Sequence, residues 1–307
     1  MKILRLSLFA IITLILSLTS IQPTVADERR VELKINGVVA FGDLVEPDDG
    51  ALEKGVLLIT HGTLAHKDME IISALQSALK ERGIASLAHS LTLGVTRREG
   101  MYDCATAHTH KHEDAVAEIG AWVNWLKANG AGPISVLGHS RGGNQVAWFA
   151  AEQDKSRINA LVLLAPMTRG PSSDAAADYK KQYKVELGPL LSKASAFVAG
   201  GSGATLMALP GFIYCPNSKV SAASIVSYYG KEPRRDTPAL LPKIKVRVLV
   251  IAGSADTVVP HVAERVRPLA DGVKIQLKII EDAGHLFNDF YIEDAADLVA
   301  EFLNGSG

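Results

Sequence analysis

Ile134-Ser135-Val136-Leu137-Gly138-His139-Ser140-Arg141-Gly142 is the stretch on which the fold turns. Residues 134–137 read as a short buried strand, residues 138–142 as a tight turn, and the segment after Ser140 as a helix. A sharp strand-to-helix turn of this G-x-S-x-G form holds its serine in a strained backbone conformation and lifts the hydroxyl above the sheet. The flanking glycines are required because side chains there clash with the neighbouring strand and helix.

Working outward, the same alternation of strand and helix recurs. Segments 31–35 and 38–45 form a hairpin about Asn36-Gly37, a strong two-residue turn signal. The run 55–60 is continuously apolar, as expected of a strand buried on both faces. Ile72, Leu75 and Leu79 then stripe a helix that Gly83 stops. Another strand covers 84–88, and Val116, Ile119, Val123 and Leu126 stripe a second helix. Beyond the central turn, strands cover 158–165, 246–252 and 275–280. Ala295, Leu298, Val299 and Phe302 stripe the last helix. Strands and helices at this spacing make right-handed crossover units. The expected fold class is α/β, a doubly wound, mostly parallel sheet with an antiparallel hairpin at one edge. After the sixth strand, residues 168–238 are rich in Gly, Ala, Ser and Pro. A structureless loop of that length is improbable, so the segment is expected to be an inserted lid with helices of its own.

The chain has 307 residues, 48% hydrophobic and 21% charged, which excludes a disordered chain and leaves one large domain or two small ones. Lys plus Arg number 32 against 33 Asp plus Glu, so the basic excess of a nucleic-acid binder is missing. Two cysteines are too few for a disulfide scaffold or a four-thiolate zinc site. At the N-terminus, Lys2 and Arg5 precede an apolar run over 6–21, and Thr24-Val25-Ala26 offers a cleavage site. Residues 1–26 are expected to be a signal peptide and 27–307 the exported, periplasmic or secreted domain. The run is shorter and more polar than a spanning helix requires, so no stable membrane span is expected in the mature chain.

A serine hydroxyl needs an adjacent base, and the strand ends supply candidates. Strand 248–252 leads into Gly253-Ser254-Ala255-Asp256, and strand 277–280 into Glu281-Asp282-Ala283-Gly284-His285. The order Ser140, Asp256, His285 is that of nucleophile-elbow enzymes; Asp282 is a poorer alternative acid. After 57–60 comes His61-Gly62-Thr63, where a turn aims the Thr63 amide at Ser140. With the Arg141 amide it forms the expected oxyanion hole, and His61 is expected to support the turn.

On His61-Gly62, Gly138-His-Ser-Arg-Gly142, Gly253-Ser-Ala-Asp256 and Gly284-His285, the chain resembles the α/β-hydrolase superfamily, and within it the lidded esterase, lipase and peptidase-like members. The resemblance runs from about residue 55 to 303, lid excepted. It implies that Ser140 is the nucleophile, His285 the general base and then acid, and Asp256 the group holding the imidazole. It also implies an acyl-enzyme resolved by water, with no metal or organic cofactor. Serine at the turn argues against dehalogenase or epoxide-hydrolase chemistry, which uses aspartate there. The departure lies between Ser90 and Asp114, where many members carry a short Asp-x-Arg-Gly-x-Gly-x-Ser turn and this chain has a longer loop.

That loop holds His108, His110 and His112, which read either as a zinc-ligand run or as a polar loop before a helix; further ligands are lacking, and the second reading is preferred. Arg97 and Arg98 read either as contacts to an anionic substrate group or as a solvated face, and the second reading is preferred. In the lid, Phe212 and Ile213 are expected to contact substrate, and Cys104 and Cys215 to form a disulfide in an oxidising compartment. The sequence thus points to an exported serine hydrolase acting on a small-molecule carboxylic ester. The alternatives are a lipase or peptidase of the same fold, or a non-catalytic binding protein on that scaffold.

Overall fold

The computed structural model describes residues 28–47, 52–152, 157–169 and 175–305. The expected signal segment, 1–26, lies outside the described residues. Asn36 and Gly37 both take positive φ, 49° and 87°, the geometry of the tight primed turn that joins twisted strands. They fold β1 (Glu28–Ile35) back on β2 (Val38–Val45) in antiparallel register, Ile35 opposite Val38.

β2 pairs antiparallel with β4 (Ala85–His89), and from there the sheet is parallel. β3 (Val56–Thr60), β5 (Ile134–His139), β6 (Ala160–Leu164), β9 (Arg247–Gly253) and β10 (Ile275–Ile280) complete eight strands in the order β1-β2-β4-β3-β5-β6-β9-β10. Leu57, Leu58, Ile59, Val136, Leu137 and Val162 have no exposed surface, because helices cover both faces. α1 (Glu70–Glu81) packs with α9 (Tyr291–Asn304), and α2 (Asp114–Ala128) with α3 (Arg141–Glu152), which makes the two helical layers of a doubly wound fold; the short α8 (Val262–Val266) packs beside β9 and β10.

The insertion between β6 and β9 contains the expected helices, α4 (Ala175–Tyr183), α5 (Leu187–Ala199), α6 (Ala222–Tyr229) and the short α7 (Thr237–Leu240). It also contains a two-stranded hairpin that the composition does not announce, β7 (Leu206–Phe212) against β8 (Cys215–Ser221). Pro210 and Pro216 are tolerated because a two-stranded ribbon is all edge.

The hairpin and the α6 helix that follows it are tied to the 90–113 loop in three ways. Cys104 and Cys215 form a disulfide with Cα atoms 5.2 Å apart. The His108 amide donates to the Lys219 carbonyl, and the Ser221 amide to the His108 carbonyl, a parallel bridge beside Val220. The His110 imidazole is hydrogen-bonded to the Tyr228 hydroxyl at 2.9 Å. The disulfide links positions 111 residues apart, for which chain-entropy arguments give up to ~4.7 kcal/mol. Reduction, or the double change Cys104→Ser with Cys215→Ser, is expected to lower Tm. Superimposable melts with and without reductant would show that the bridge adds nothing. Among the described residues no helix is long and apolar enough to cross a membrane.

Candidate active site

Parallel register brings the carboxyl ends of the central strands level. Thr60 lies beside Gly138, Leu164 beside His139, and Ile280 beside Gly253. The loops beginning at residues 61, 140, 254 and 281 therefore open side by side at one edge, where ligands of open α/β sheets bind.

Ser140 has φ +55°, a strained conformation for a residue with a Cβ. Its amide is held by the Leu164 carbonyl at 3.0 Å, and its carbonyl accepts from the Met167 amide at 2.8 Å. The turn closes only because its glycines are bare. A Cβ on Gly138 would drive into the Gly142 backbone, and one on Gly142 into the carbonyls of Thr60 and His61.

The Ser140 Oγ lies 2.9 Å from Nε2 of His285, whose Nδ1 lies 2.8 Å from Oδ2 of Asp256. A carboxylate only accepts, so Nδ1 carries the proton, and in the neutral imidazole Nε2 is then the acceptor facing the hydroxyl. The other Asp256 oxygen accepts from the amides of Val258 at 2.7 Å and Val259 at 2.9 Å. Burial pushes the Asp256 carboxyl up, but the His285 hydrogen bond and those two amides outweigh it and hold the group below the usual carboxylate range. Asp282, the alternative acid, is exposed, and its amide donates to Ser254 Oγ.

His139 was not singled out by its position inside the turn motif, yet it anchors the far loop. Its Nε2 donates to the His285 carbonyl at 2.9 Å. Burial, and then the nearby His285, push His139 down to about 4, so it stays neutral in this role.

The turn at 61–63 passes against the serine: a Cβ on Gly62 would lie 3.3 Å from the Ser140 Cβ. His61 supports this turn, donating from Nδ1 to the Gly62 carbonyl at 2.8 Å and accepting the Leu91 amide on Nε2 at 2.9 Å. Arg98 is not on a solvated face. It is 6% exposed and donates to the carbonyls of Leu91, Gly100 and Ala65, pinning the long loop to this turn. Arg97 is exposed and pairs with Glu32 at 3.1 Å. Among the described residues, neither the Thr63 nor the Arg141 amide meets a protein acceptor. The two residues are also joined through their side chains, Arg141 Nε donating to Thr63 Oγ1 at 2.9 Å.

A pocket of about 610 Å³ opens over Ser140 and His285. Its walls are mainly apolar: Met69, Ile71 and Ile72 at the start of α1, and Leu286, Phe287 and Tyr291 before and on α9. Phe212 and Ile213 do not line it; Ile213 instead lines a neighbouring cleft on the other side of Tyr214. Phe212 is fully buried among His108, Tyr228 and Tyr229, and Ile213 takes φ +58° in the hairpin turn. That turn presents the next residue, Tyr214, to the pocket, which Met101 of the long loop also lines.

The three loop histidines are buried and used as hydrogen-bonding wedges. His108 contacts His110 at 3.2 Å, and His112 donates to Asn144 Oδ1 at 2.9 Å. Burial pushes His108 to about 4, His110 to about 3 and His112 well below its usual value. Among the described residues no group of three or more His, Cys, Asp or Glu side chains is arranged to hold a metal ion.

The sequence profile of the Alpha/beta hydrolase family matches residues 56–302. Among solved structures, the chain is similar to Est1E from Butyrivibrio proteoclasticus with ferulic acid bound, at 20% identity and a TM-score of 0.65, covering 90% of this chain and 98% of that one. It is similar to a dienelactone hydrolase from Anabaena variabilis at 17% identity and a TM-score of 0.56, covering 91% and 98%. The esterase domain of a Rhodothermus marinus protein matches at 16% identity and a TM-score of 0.55, covering 91% and 97%. These likenesses are of fold. No curated protein sequence matches the chain. With the profile spanning the sheet from β3 to α9, and every loop of the site inside it, the chain belongs to the alpha/beta hydrolase family.

Proposed function

We propose that the chain is an exported serine hydrolase that cleaves a carboxylic ester through an acyl-enzyme on Ser140. The observation that carries this reading is the unbroken hydrogen-bond chain Ser140–His285–Asp256 beneath an apolar pocket. In the first step the Ser140 hydroxyl proton passes to His285 Nε2 while Oγ forms a bond to the ester carbonyl carbon. The carbonyl oxygen, now negative, is received by the Thr63 and Arg141 amides. Collapse breaks the bond to the alcohol oxygen, which takes the proton from His285 and leaves. Water then repeats the sequence against the acyl-enzyme, with His285 again base and then acid, and releases the carboxylic acid. Asp256 keeps Nδ1 protonated and balances the transient imidazolium. Export is supported by the N-terminal segment and by the Cys104–Cys215 bridge, which suits an oxidising compartment.

A fluorophosphonate probe is expected to label the wild-type protein on Ser140, found by mass spectrometry. Absence of covalent labelling would instead favour a binding protein. On p-nitrophenyl esters, the Met69, Ile71 and Ile72 wall predicts short to medium acyl chains over acetate. Each buried methylene contributes ~0.8 kcal/mol, so two further carbons raise kcat/KM roughly tenfold where they fit. A preference for acetate across the series would contradict this wall as the acyl site.

A further inference from the structure

A second cleft of about 310 Å³ lies behind Tyr214, which lines both cavities. Three arginines line it, close enough for the charges of two to act on the third: Arg141, next in sequence to Ser140; Arg169, just past β6; and Arg235, before α7. Among the described residues Asp178 is the one carboxylate in the lining, and none of the three arginines has a carboxylate within ion-pairing distance.

Arg235 is 1% exposed, donates to the Gly230 carbonyl, and has a buried Nε with no partner among the described residues. Arg169 is fixed through its backbone, its amide donating to Asp236 and its carbonyl accepting from Arg265. Its guanidinium makes no hydrogen bond among the described residues and is left to the cleft. Arg141 commits Nε to Thr63 and Nη1 to His112, and stacks 5.3 Å above the Tyr228 ring. Burial, and then the charges of Arg169 and Arg141, push Arg235 down to about 10, with Glu232 and Glu113 acting the other way.

A buried cation with an idle donor, beside two half-buried ones, is costly unless an anion completes the group. The guanidinium fork matches a carboxylate in two-point geometry. We infer that the cleft lined by Arg141, Arg169 and Arg235 is a subsite for a carboxylate carried by the substrate, so that the ester cleaved at Ser140 is a half-ester of a dicarboxylic acid or a close relative. The inference rests on the esterase reading. It adds the charge of the substrate, which the apolar pocket alone does not specify. Tyr214 lines both the pocket over Ser140 and this cleft, so the two cavities adjoin at that residue.

The test compares p-nitrophenyl hydrogen glutarate with p-nitrophenyl valerate, the same acyl length without the charge. The ratio of their kcat/KM values is expected to fall about tenfold or more in Arg169→Gln, through KM, given the strength of charge-assisted hydrogen bonds. Arg235→Gln is expected to do the same. Should that buried change prevent folding, Arg169→Gln alone decides. A ratio unmoved by Arg169→Gln overturns the subsite while leaving the esterase reading intact. Glutarate or inorganic phosphate that alters valerate turnover without competing with the glutarate ester marks an effector site, and also overturns it. If neither ester is turned over, calorimetry of glutarate with the wild-type protein decides. Binding that Arg169→Gln weakens about tenfold supports the subsite, and no binding removes it.

Discussion

Ser140→Ala is expected to lower kcat on the best p-nitrophenyl ester by ~10⁴- to 10⁶-fold, with the near-ultraviolet circular dichroism of the wild type retained. The loss is large because Oγ is the atom that bonds to the acyl group, and nothing else within reach of His285 Nε2 replaces it. The fold should tolerate the change. Alanine occupies the φ +55° position at the same backbone cost as serine, and the amide and carbonyl of residue 140 keep their bonds to Leu164 and Met167. His285→Ala is expected to cost a similar factor. The double variant should be little worse than either single one, since groups that act as a unit are not additive. What remains is the contribution of the Thr63 and Arg141 amides and of binding. A purified Ser140→Ala protein with wild-type turnover would end the proposal outright.

How far the sequence alone reaches depends on how local each signal is. The turn at Gly138–Gly142 is legible because steric necessity sits within five residues, and the structure shows the close backbone approaches that demand those glycines. Asp256 and His285 are legible because each follows a strand, and parallel register brings strand ends level whatever the intervening sequence. The β7–β8 hairpin was hidden by its own composition. Its buried positions, Met207 and Leu209, alternate with the exposed Leu206 and Ala208, so the period of two carries no polar contrast. Phe212 failed as a substrate contact for a related reason. An apolar residue in a lid reads the same whether it faces a ligand or the protein's own rings, and here it faces His108, Tyr228 and Tyr229. Arg98 looked like a surface charge beside Arg97. Only the folded loop shows three carbonyls converging on its guanidinium. The arginine cleft is the extreme case, since its members come from three separate segments and no local pattern joins them.

Asp256→Asn is expected to reduce kcat by ~10⁴-fold while leaving the protein folded. The two amides at Val258 and Val259 donate to Asp256 Oδ1. An asparagine in this place must give them its carbonyl oxygen, because its NH₂ group turned toward two N–H donors would leave all of them unsatisfied. The NH₂ group then faces His285 Nδ1. A donor there forces Nδ1 to be bare and puts the ring proton on Nε2, where it meets the Ser140 hydroxyl. The imidazole is present, correctly placed and unable to accept the serine proton. The carboxylate has a second signature in pH. Its folded-state pKa is lowered, so its contribution to stability is present above the unfolded-state value and is lost as pH falls through the folded-state value. The Tm advantage of wild type over Asp256→Asn is therefore expected at neutral pH and should shrink on acidification below the ordinary carboxylate range. An asparagine variant within tenfold of wild-type kcat would show that the Nδ1 proton is not what Asp256 secures. A Tm difference that grows toward acid pH would contradict the depressed carboxyl.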